Sequence, residues 1–238
     1  MGKNKVKSAG AVTKSSEAPS QIKFPPLVPL IPTSSLILEE CHKHQILLIR
    51  NFFTSTLCRN LVSNFSTLPF ATTPGKPKRG EATRVNDRFQ IDDPAFAERL
   101  WKDTALQDLV LSYEDQSIWG DSEVLGLFEN IRIYRYSPGQ FFDKHYDESK
   151  RIEFGPRKIK SKTTWTLLIY LTTCEGGETV FYPESTTSKG PQPDPIVVGL
   201  EPGMALLHKH GDDCLLHEGR EVTHGEKWVL RSDLVVAR

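Results

Sequence analysis

From Asn130 to Val236 the chain is a succession of short runs rich in β-branched and aromatic residues, cut by Pro-Gly, Gly-Gly, Gly-Asp and His-Gly breaks. Runs of this length and texture read as strands, and the breaks between them as turns. The expected strands are Asn130–Tyr136, Phe141–Asp147, Thr163–Leu171, Glu178–Phe181, Met204–His208, Cys214–His217 and Glu226–Val236, with a short return at Thr223–Gly225. Ahead of them the periodicity is helical. Thr54 reads as the cap of a helix with Leu57, Cys58, Leu61, Val62 and Phe65 on one face. Asp93-Pro94 starts a second helix with Ala97, Leu100 and Trp101 as its inward stripe, and a third lies around Ala105 to Tyr113. One strand, Gln45–Arg50, precedes the helices. Helices first and about eight strands after them predict a mainly β, α+β fold: a jelly roll with N-terminal helices packed on one face.

At 238 residues the chain is expected to form one large domain with trimmings. Residues 1–30 read as a disordered, basic tail with a proline-rich end, order beginning near Ser35. Residues 31–129 read as a supporting strand-and-helix region, continuous with a core at 130–238. Thirty basic and thirty acidic side chains cancel, which excludes a whole-molecule electrostatic footprint for nucleic acid. Cys41, Cys58, Cys174 and Cys214 form no CxxC pair, so a disulfide framework or zinc knuckle is not expected, and a reducing compartment fits better. No apolar run approaches the roughly 18–20 residues of a membrane span. Phe24–Pro32 holds four prolines where a leader would need an apolar helix. Val6 stands where a myristoylation pattern needs Ser or Thr. The expected location is cytosol or nucleus, with no membrane partner.

The sharpest local feature is Asp143-Lys144-His145-Tyr146-Asp147. On a strand, residues two apart share a face, so His145 and Asp147 would both point into the sandwich, with Lys144 and Tyr146 outside. One imidazole and one carboxylate on a face make two thirds of a two-histidine, one-carboxylate non-haem iron site, which leaves three metal positions open. His208, His210, His217 and His224 compete for the remaining position, while His42 and His44 precede the sheet. His217 is preferred, because it ends a strand just before a Glu-Gly turn, and the hairpin made with the returning strand Thr223–Gly225 would bring Lys227 beside the site. A buried lysine there would suit a dicarboxylate whose other end chelates the metal. Arg231 shares the strand face of Lys227 and is the second candidate for that role, although an ion pair with Asp233 or another acid would also account for it.

These segments resemble the prolyl 4-hydroxylase-type 2-oxoglutarate/Fe(II) dioxygenases. The likeness runs through Tyr136-Ser137-Pro138-Gly139-Gln140 to His145-Tyr146-Asp147, the strand Thr166–Leu171, Gly176-Gly177-Glu178-Thr179, and His217-Glu218-Gly219 with Val222, Gly225 and Lys227-Trp228. It covers about residues 130–236. The resemblance implies a double-stranded β-helix and iron ligation by His145, Asp147 and His217. It implies Lys227 as partner of the distal 2-oxoglutarate carboxylate, with Tyr136 and Thr166 lining that pocket. The implied activity uses dioxygen, converts 2-oxoglutarate to succinate and carbon dioxide, and hydroxylates a C–H bond, with a peptidyl proline as the first substrate expectation. Whether L-ascorbate keeps the iron reduced is left open. Demethylases of nucleic-acid bases or histones on the same fold are the alternative, but their Arg-x5-Arg pattern is missed by one residue at Arg231 and Arg238. A non-catalytic metal-holding module is a further alternative, disfavoured by the lysine.

Two basic segments are candidate substrate walls. Residues 72–90 carry Lys76, Lys78, Arg79, Arg84 and Arg88, ending in Arg84-x-Asn86-x-Arg88, three polar side chains on one face if extended. Residues 148–162 carry Lys150, Arg151, Arg157, Lys158, Lys160 and Lys162, which more often marks a solvated loop than a rim for a peptide or nucleic acid. Trp119 and Trp165 suit core packing better than the mouth of a pocket.

Overall fold

The computed structural model describes residues 22–73, 77, 82–120, 122–184 and 191–238. The tail before Ile22 and Lys76, Lys78 and Arg79 lie outside these residues. In chain order the elements begin with β1 (Glu39–His42), β2 (Ile46–Ile49), α1 (Ser55–Phe65), β3 (Ala71–Thr72), β4 (Arg84–Val85), β5 (Asp87–Asp92), α2 (Pro94–Lys102) and α3 (Leu106–Leu111). They continue with β6 (Val124–Leu127), β7 (Asn130–Tyr136), β8 (Phe141–His145), β9 (Arg151–Phe154), β10 (Ile159–Tyr170), β11 (Cys174–Gly176) and β12 (Thr179–Tyr182). The last are β13 (Ile196–Val198), β14 (Ala205–Lys209), β15 (Leu216–Gly219), β16 (Val222–Gly225) and β17 (Lys227–Ala237).

The strands build a major sheet in the order β1-β2-β14-β10-β17-β7-β5-β3 and a minor sheet in the order β13-β12-β15-β8-β4. The pair β11–β16 stands apart, and β6 and β9 extend the major sheet from β17 and β10. This is the jelly roll expected from the strand pattern.

Period-2 alternation sorts each central strand of the major sheet into two faces. Trp228, Leu230 and Leu234 of β17, Trp165, Leu167 and Ile169 of β10, and Ile131 and Ile133 of β7 join one core with the helices. To it the helices contribute Leu57, Leu61 and Phe65 (α1), Phe96, Leu100 and Trp101 (α2), and Leu106 and Val110 (α3). The intervening residues, including Val229, Tyr170, Tyr134 and Tyr136, form a second core between the sheets with Phe181, Val198 and Leu206. Each long helix starts where the sequence placed it. The Thr54 hydroxyl accepts from the Leu57 N–H at 3.1 Å and the Asp93 carboxylate from the Phe96 N–H at 2.8 Å, while Pro94 opens α2.

Several expectations are corrected. Order begins before Ser35, because Phe24 and Leu27 are buried and Phe24 packs on Phe65 and Phe96. The basic segment 148–162 is mostly the β9–β10 hairpin rather than a loop, its Lys160 and Lys162 set opposite Glu153 and Arg151, and its basic side chains are exposed as expected of a solvated run. β15 and β16 do not pair as a hairpin: β15 lies between β12 and β8, and β16 pairs β11. The chain leaves the minor sheet after β15 because Val222 N–H bonds the Gln140 carbonyl and Glu221 accepts from Gly177, which direct it into β17 of the major sheet. Trp119 and Trp165 pack together in the core with ring centroids 5.1 Å apart. No helix among the described residues is long and apolar enough to cross a membrane.

The helix layer joins the major sheet through a shared apolar core, so a truncation there measures that burial. Leu61→Ala, at a fully buried site, is expected to cost about 2–5 kcal/mol in urea unfolding.

Candidate metal centre

β8 ends at His145, and extended backbone carries Asp147 to the same side two residues on. β15 pairs with β8 so that His217 lies directly opposite His145. The register thus puts two imidazoles and a carboxylate at one point of the minor sheet. Asp147 Oδ1 is 3.7 Å from His145 Nε2, and its Oδ2 is 3.9 Å from His217 Nε2. The other ring nitrogens face main-chain carbonyls: His145 Nδ1 lies 2.8 Å from Asp143 O, and His217 Nδ1 lies 2.9 Å from Leu215 O. Only an N–H can face a carbonyl, so each ring donates through Nδ1 and turns the Nε2 lone pair toward Asp147. Burial keeps both rings neutral, with His145 brought down to about 3.

Asp147 is ionised despite its burial. Burial alone would raise its pKa, but the Arg231 guanidinium beside it outweighs that and holds it well below the usual carboxylate range. Arg231 Nη2 sits 2.8 Å from Asp147 Oδ2, and the Thr166 hydroxyl donates to the same oxygen at 2.8 Å. The main chain is fixed too: the Asp147 N–H reaches Cys214 Sγ at 3.3 Å and its carbonyl accepts from the Gly211 N–H at 2.8 Å. Burial pushes the Cys214 thiol up to about 11 and its sulfur accepts from the Asp147 N–H, while the His145, Asp147 and His217 group offers nitrogen and oxygen donors. Neutral nitrogens and one hard carboxylate, within bonding span of one ion, suit Fe(II).

Lys227 approaches the same cavity from β17. It is buried, donates to the Gly177 carbonyl at 2.7 Å, and lies 5.5 Å from the centres of the Tyr136 and Tyr170 rings. No carboxylate pairs with it among the described residues, and burial lowers its pKa to about 8. Its carbonyl partner depends on two glycines. Gly176 and Gly177 both hold positive φ, and a Cβ on Gly176 would lie 2.2 Å from the Glu221 carbonyl oxygen.

The other sequence candidates are placed as follows. Tyr136 lines the cavity, whereas Thr166 is spent on Asp147 and His210 and does not. Arg231 lines it but is committed to Asp147 and Asp233, the ion pair the sequence left open. Arg84, Asn86 and Arg88 do not share one extended face. The chain changes sheets between them, β4 pairing β8 and β5 pairing β7. Asn86 is buried against Thr73, Arg84 lies 4.3 Å above the Phe142 ring at the cavity wall, and Arg88 bonds Gln90. His210 is buried between Thr163 and Thr166, and His224 is exposed. His208, set aside in favour of His217, also lines the cavity. Its signal was the alternation of β14, which puts Leu206 and His208 on the inner face. A larger groove of about 460 Å³ between α2, β6 and the β9–β10 turn contains none of these donors.

Residues 131–232 match the family model described as the 2OG-Fe(II) oxygenase superfamily. The matched segment is similar to that superfamily and holds His145, Asp147, His217 and Lys227. Two Arabidopsis thaliana relatives are similar to it. Prolyl 4-hydroxylase 13 is 35% identical over 114 residues, 43% of this chain and 41% of the relative. Probable prolyl 4-hydroxylase 9 is 37% identical over 120 residues, 42% of this chain and 38% of the relative. The matches thus span about two fifths of each relative's length. The fold is also that of the viral collagen prolyl hydroxylase from Paramecium Bursaria Chlorella virus-1, solved as its 2OG complex. That likeness has a TM-score of 0.52 at 21% identity, over 84% of this chain and all of that one.

Within this segment, Thr166 acts on the donor set only through Asp147. Thr166→Val is expected to weaken Co(II) binding about 10–100-fold, read by chelator competition. The far-ultraviolet circular dichroism should stay unchanged.

Proposed function

We propose that this chain is an Fe(II)- and 2-oxoglutarate-dependent hydroxylase acting on a peptidyl proline. One observation carries the reading: the His145/Asp147/His217 donors and Lys227, a buried cation with no acidic partner among the described residues, open into one cavity from opposite sheets. A purely structural metal site has no use for that lysine, whereas a dicarboxylate chelating the metal would bring it a partner. The prolyl 4-hydroxylase likeness supports a proline side chain as substrate. Bound iron with 2-oxoglutarate and dioxygen would supply the oxidising chemistry, releasing succinate and carbon dioxide.

The protein's part is positional. His145, Asp147 and His217 would hold the metal, and Arg231 and Thr166 keep Asp147 ionised and aimed. Lys227 and Tyr136 would orient the far end of the cosubstrate. Tyr134, Phe142, Leu168 and Val229 give the cavity an apolar wall that limits water around the reacting atoms. Arg84, stacked on the Phe142 ring that lines the cavity, would meet the peptide.

Anaerobic Fe(II) with 2-oxoglutarate should give the visible absorption band of the chelate, and His145→Ala should abolish it. An alanine variant that keeps the band overturns the site. Incubating proline-containing peptides with the loaded enzyme and dioxygen should add one oxygen to a proline, read by mass spectrometry.

Lys227 gives a second test with a defined sign. Below pH 8 its ammonium is charged and pairs with the dicarboxylate, so 2-oxoglutarate affinity should fall as pH rises through about 8. In the cosubstrate-free protein the depressed pKa means that the unfolded chain binds more protons, so wild-type stability grows between about 8 and 10.5. Lys227→Met should therefore raise the melting temperature at pH 7, by a margin that shrinks over that interval, while weakening 2-oxoglutarate binding.

A further inference from the structure

Two guanidiniums beside the cavity stand outside the charge pairs of the metal centre. Arg132 and Arg231 are matched by Asp233 and Asp147, but Arg84 and Arg88 have no carboxylate partner among the described residues. They arrive from different sheets, Arg84 on β4 and Arg88 on β5, and converge on one ring. Arg88 lies directly opposite Tyr134 across the β5–β7 pair, and Arg84 is 5.8 Å from the centre of the Tyr134 ring. Directly opposed residues share a face, so Arg88 takes the face that Tyr134 turns to the core between the sheets. Burial alone would raise the Tyr134 phenol, but Arg231, Arg132, Arg84 and Arg88 pull it below its ordinary value, the mark of four cations around one hydroxyl. Burial lowers Arg88, and the like charges of Arg84, Arg132 and Arg231 lower it further. Its Nε–H is buried without a partner, while one Nη donates to the Gln90 side-chain oxygen. Cations gathered this way without an anion destabilise a fold, and a stability argument would place an acid among them.

We propose that Arg84 and Arg88 select substrates that carry a carboxylate side chain, Asp or Glu, close to the reacting proline. This rests on the hydroxylase reading above and names the substrate class. One stack sets the distance. The Phe142 ring centre lies 3.5 Å from that of His145 and 4.3 Å from the Arg84 guanidinium. An extended peptide rises about 3.3 Å per residue, so the acid belongs within about three residues of a proline held at the metal. The cosubstrate's far carboxylate is assigned to Lys227, which leaves these two cations for the peptide. Glu218, the other acid lining the cavity besides Asp147, accepts from the Tyr182 hydroxyl rather than from either arginine. A planar guanidinium matches a carboxylate in two parallel bonds, and it distinguishes the acid from the isosteric amide by charge. Nucleic acid would present a row of phosphates, whereas these two guanidiniums meet at one point.

The test gives the full-length protein Fe(II), 2-oxoglutarate, dioxygen and a library of peptides with one proline and randomised flanks. Hydroxylated members are sequenced by mass spectrometry, and matched Asp/Asn and Glu/Gln peptides are then compared by kcat/KM. Wild type should enrich Asp or Glu at one offset from the proline and favour acid over amide about 10-fold or more. Arg88→Gln and Arg84→Gln should each bring that ratio down towards unity, and Arg88→Glu should turn the preference to Lys at the same offset. Each ratio compares two peptides on one enzyme sample, so a partly unfolded variant slows both and leaves the ratio intact. No acid enrichment in wild type, or variants that keep the wild-type ratio, overturns the inference and leaves the hydroxylase reading standing. A chelate band without any hydroxylated peptide overturns the proline reading and the inference with it, and oxidation of an oligonucleotide would then identify the other substrate class. Absence of the chelate band overturns the metal reading itself.

Discussion

The centre depends on the ion pair between Asp147 and Arg231. Asp147 lies beyond the end of β8, where no strand pairing fixes it, and Arg231 reaches it from the opposite sheet. Behind that pair, Arg231 also contacts Asp233, which Arg132 pairs in turn, so two cations and two anions alternate through the buried interior. Taking four charges out of water is costly, and such a chain persists only when every member is satisfied. Its gain is positional: a carboxylate ionised at any neutral pH, with both oxygens aimed at the histidines. Thr166 takes a second hold on the same oxygen, on the inner face of the strand that pairs β17.

Sheet alternation then divides the labour. The helix-facing residues of the major sheet are apolar and rigidify it, while the inner face carries Lys227, Arg231, Thr166 and His208, which no stability argument would choose. Lys227 is the plainest case. It is buried with one carbonyl bond and two aromatic faces, and its lowered pKa records an unfavourable site for an ammonium. Local rules broken together at one point, with the surrounding packing intact, mark the place where the fold carries function rather than stability.

How much of this was legible in the sequence follows from the range of each interaction. Helix starts at Thr54 and Asp93 are local chemistry and were readable, as were most of the strands after Glu129, though not β9, β11 or β13. The pairing of β15 with β8 was not, because it depends on a partner some seventy residues away, so the route that brings Lys227 to the cavity was misread as a hairpin. The Arg84–Arg88 segment misled for the same reason: alternation predicts a shared face only while the strand stays in one sheet, and this one changes sheets at Asn86. His208 could have been found. Alternation along β14 points it inward, but a strand histidine without a neighbouring carboxylate in sequence carries no signal until Thr166 and Asp147 are placed beside it.

The charges in the cavity also set an order of assembly. Asp147 and Asp233 are balanced by Arg231 and Arg132, and the histidines are neutral, so the metal-free centre has no net charge apart from Lys227. A dianion entering then would find one ammonium and lose its hydration for a single pair. A divalent ion adds two positive charges within the same low-dielectric space, where each counts for far more than in water. The cavity becomes strongly attractive to a dicarboxylate only after the metal is held. Arg231 contributes by preventing Asp147 from presenting a bare negative charge that would repel the incoming carboxylate. On the proposed reading, metal first and cosubstrate second would follow from how the buried charges are paired, with the far carboxylate drawn to Lys227.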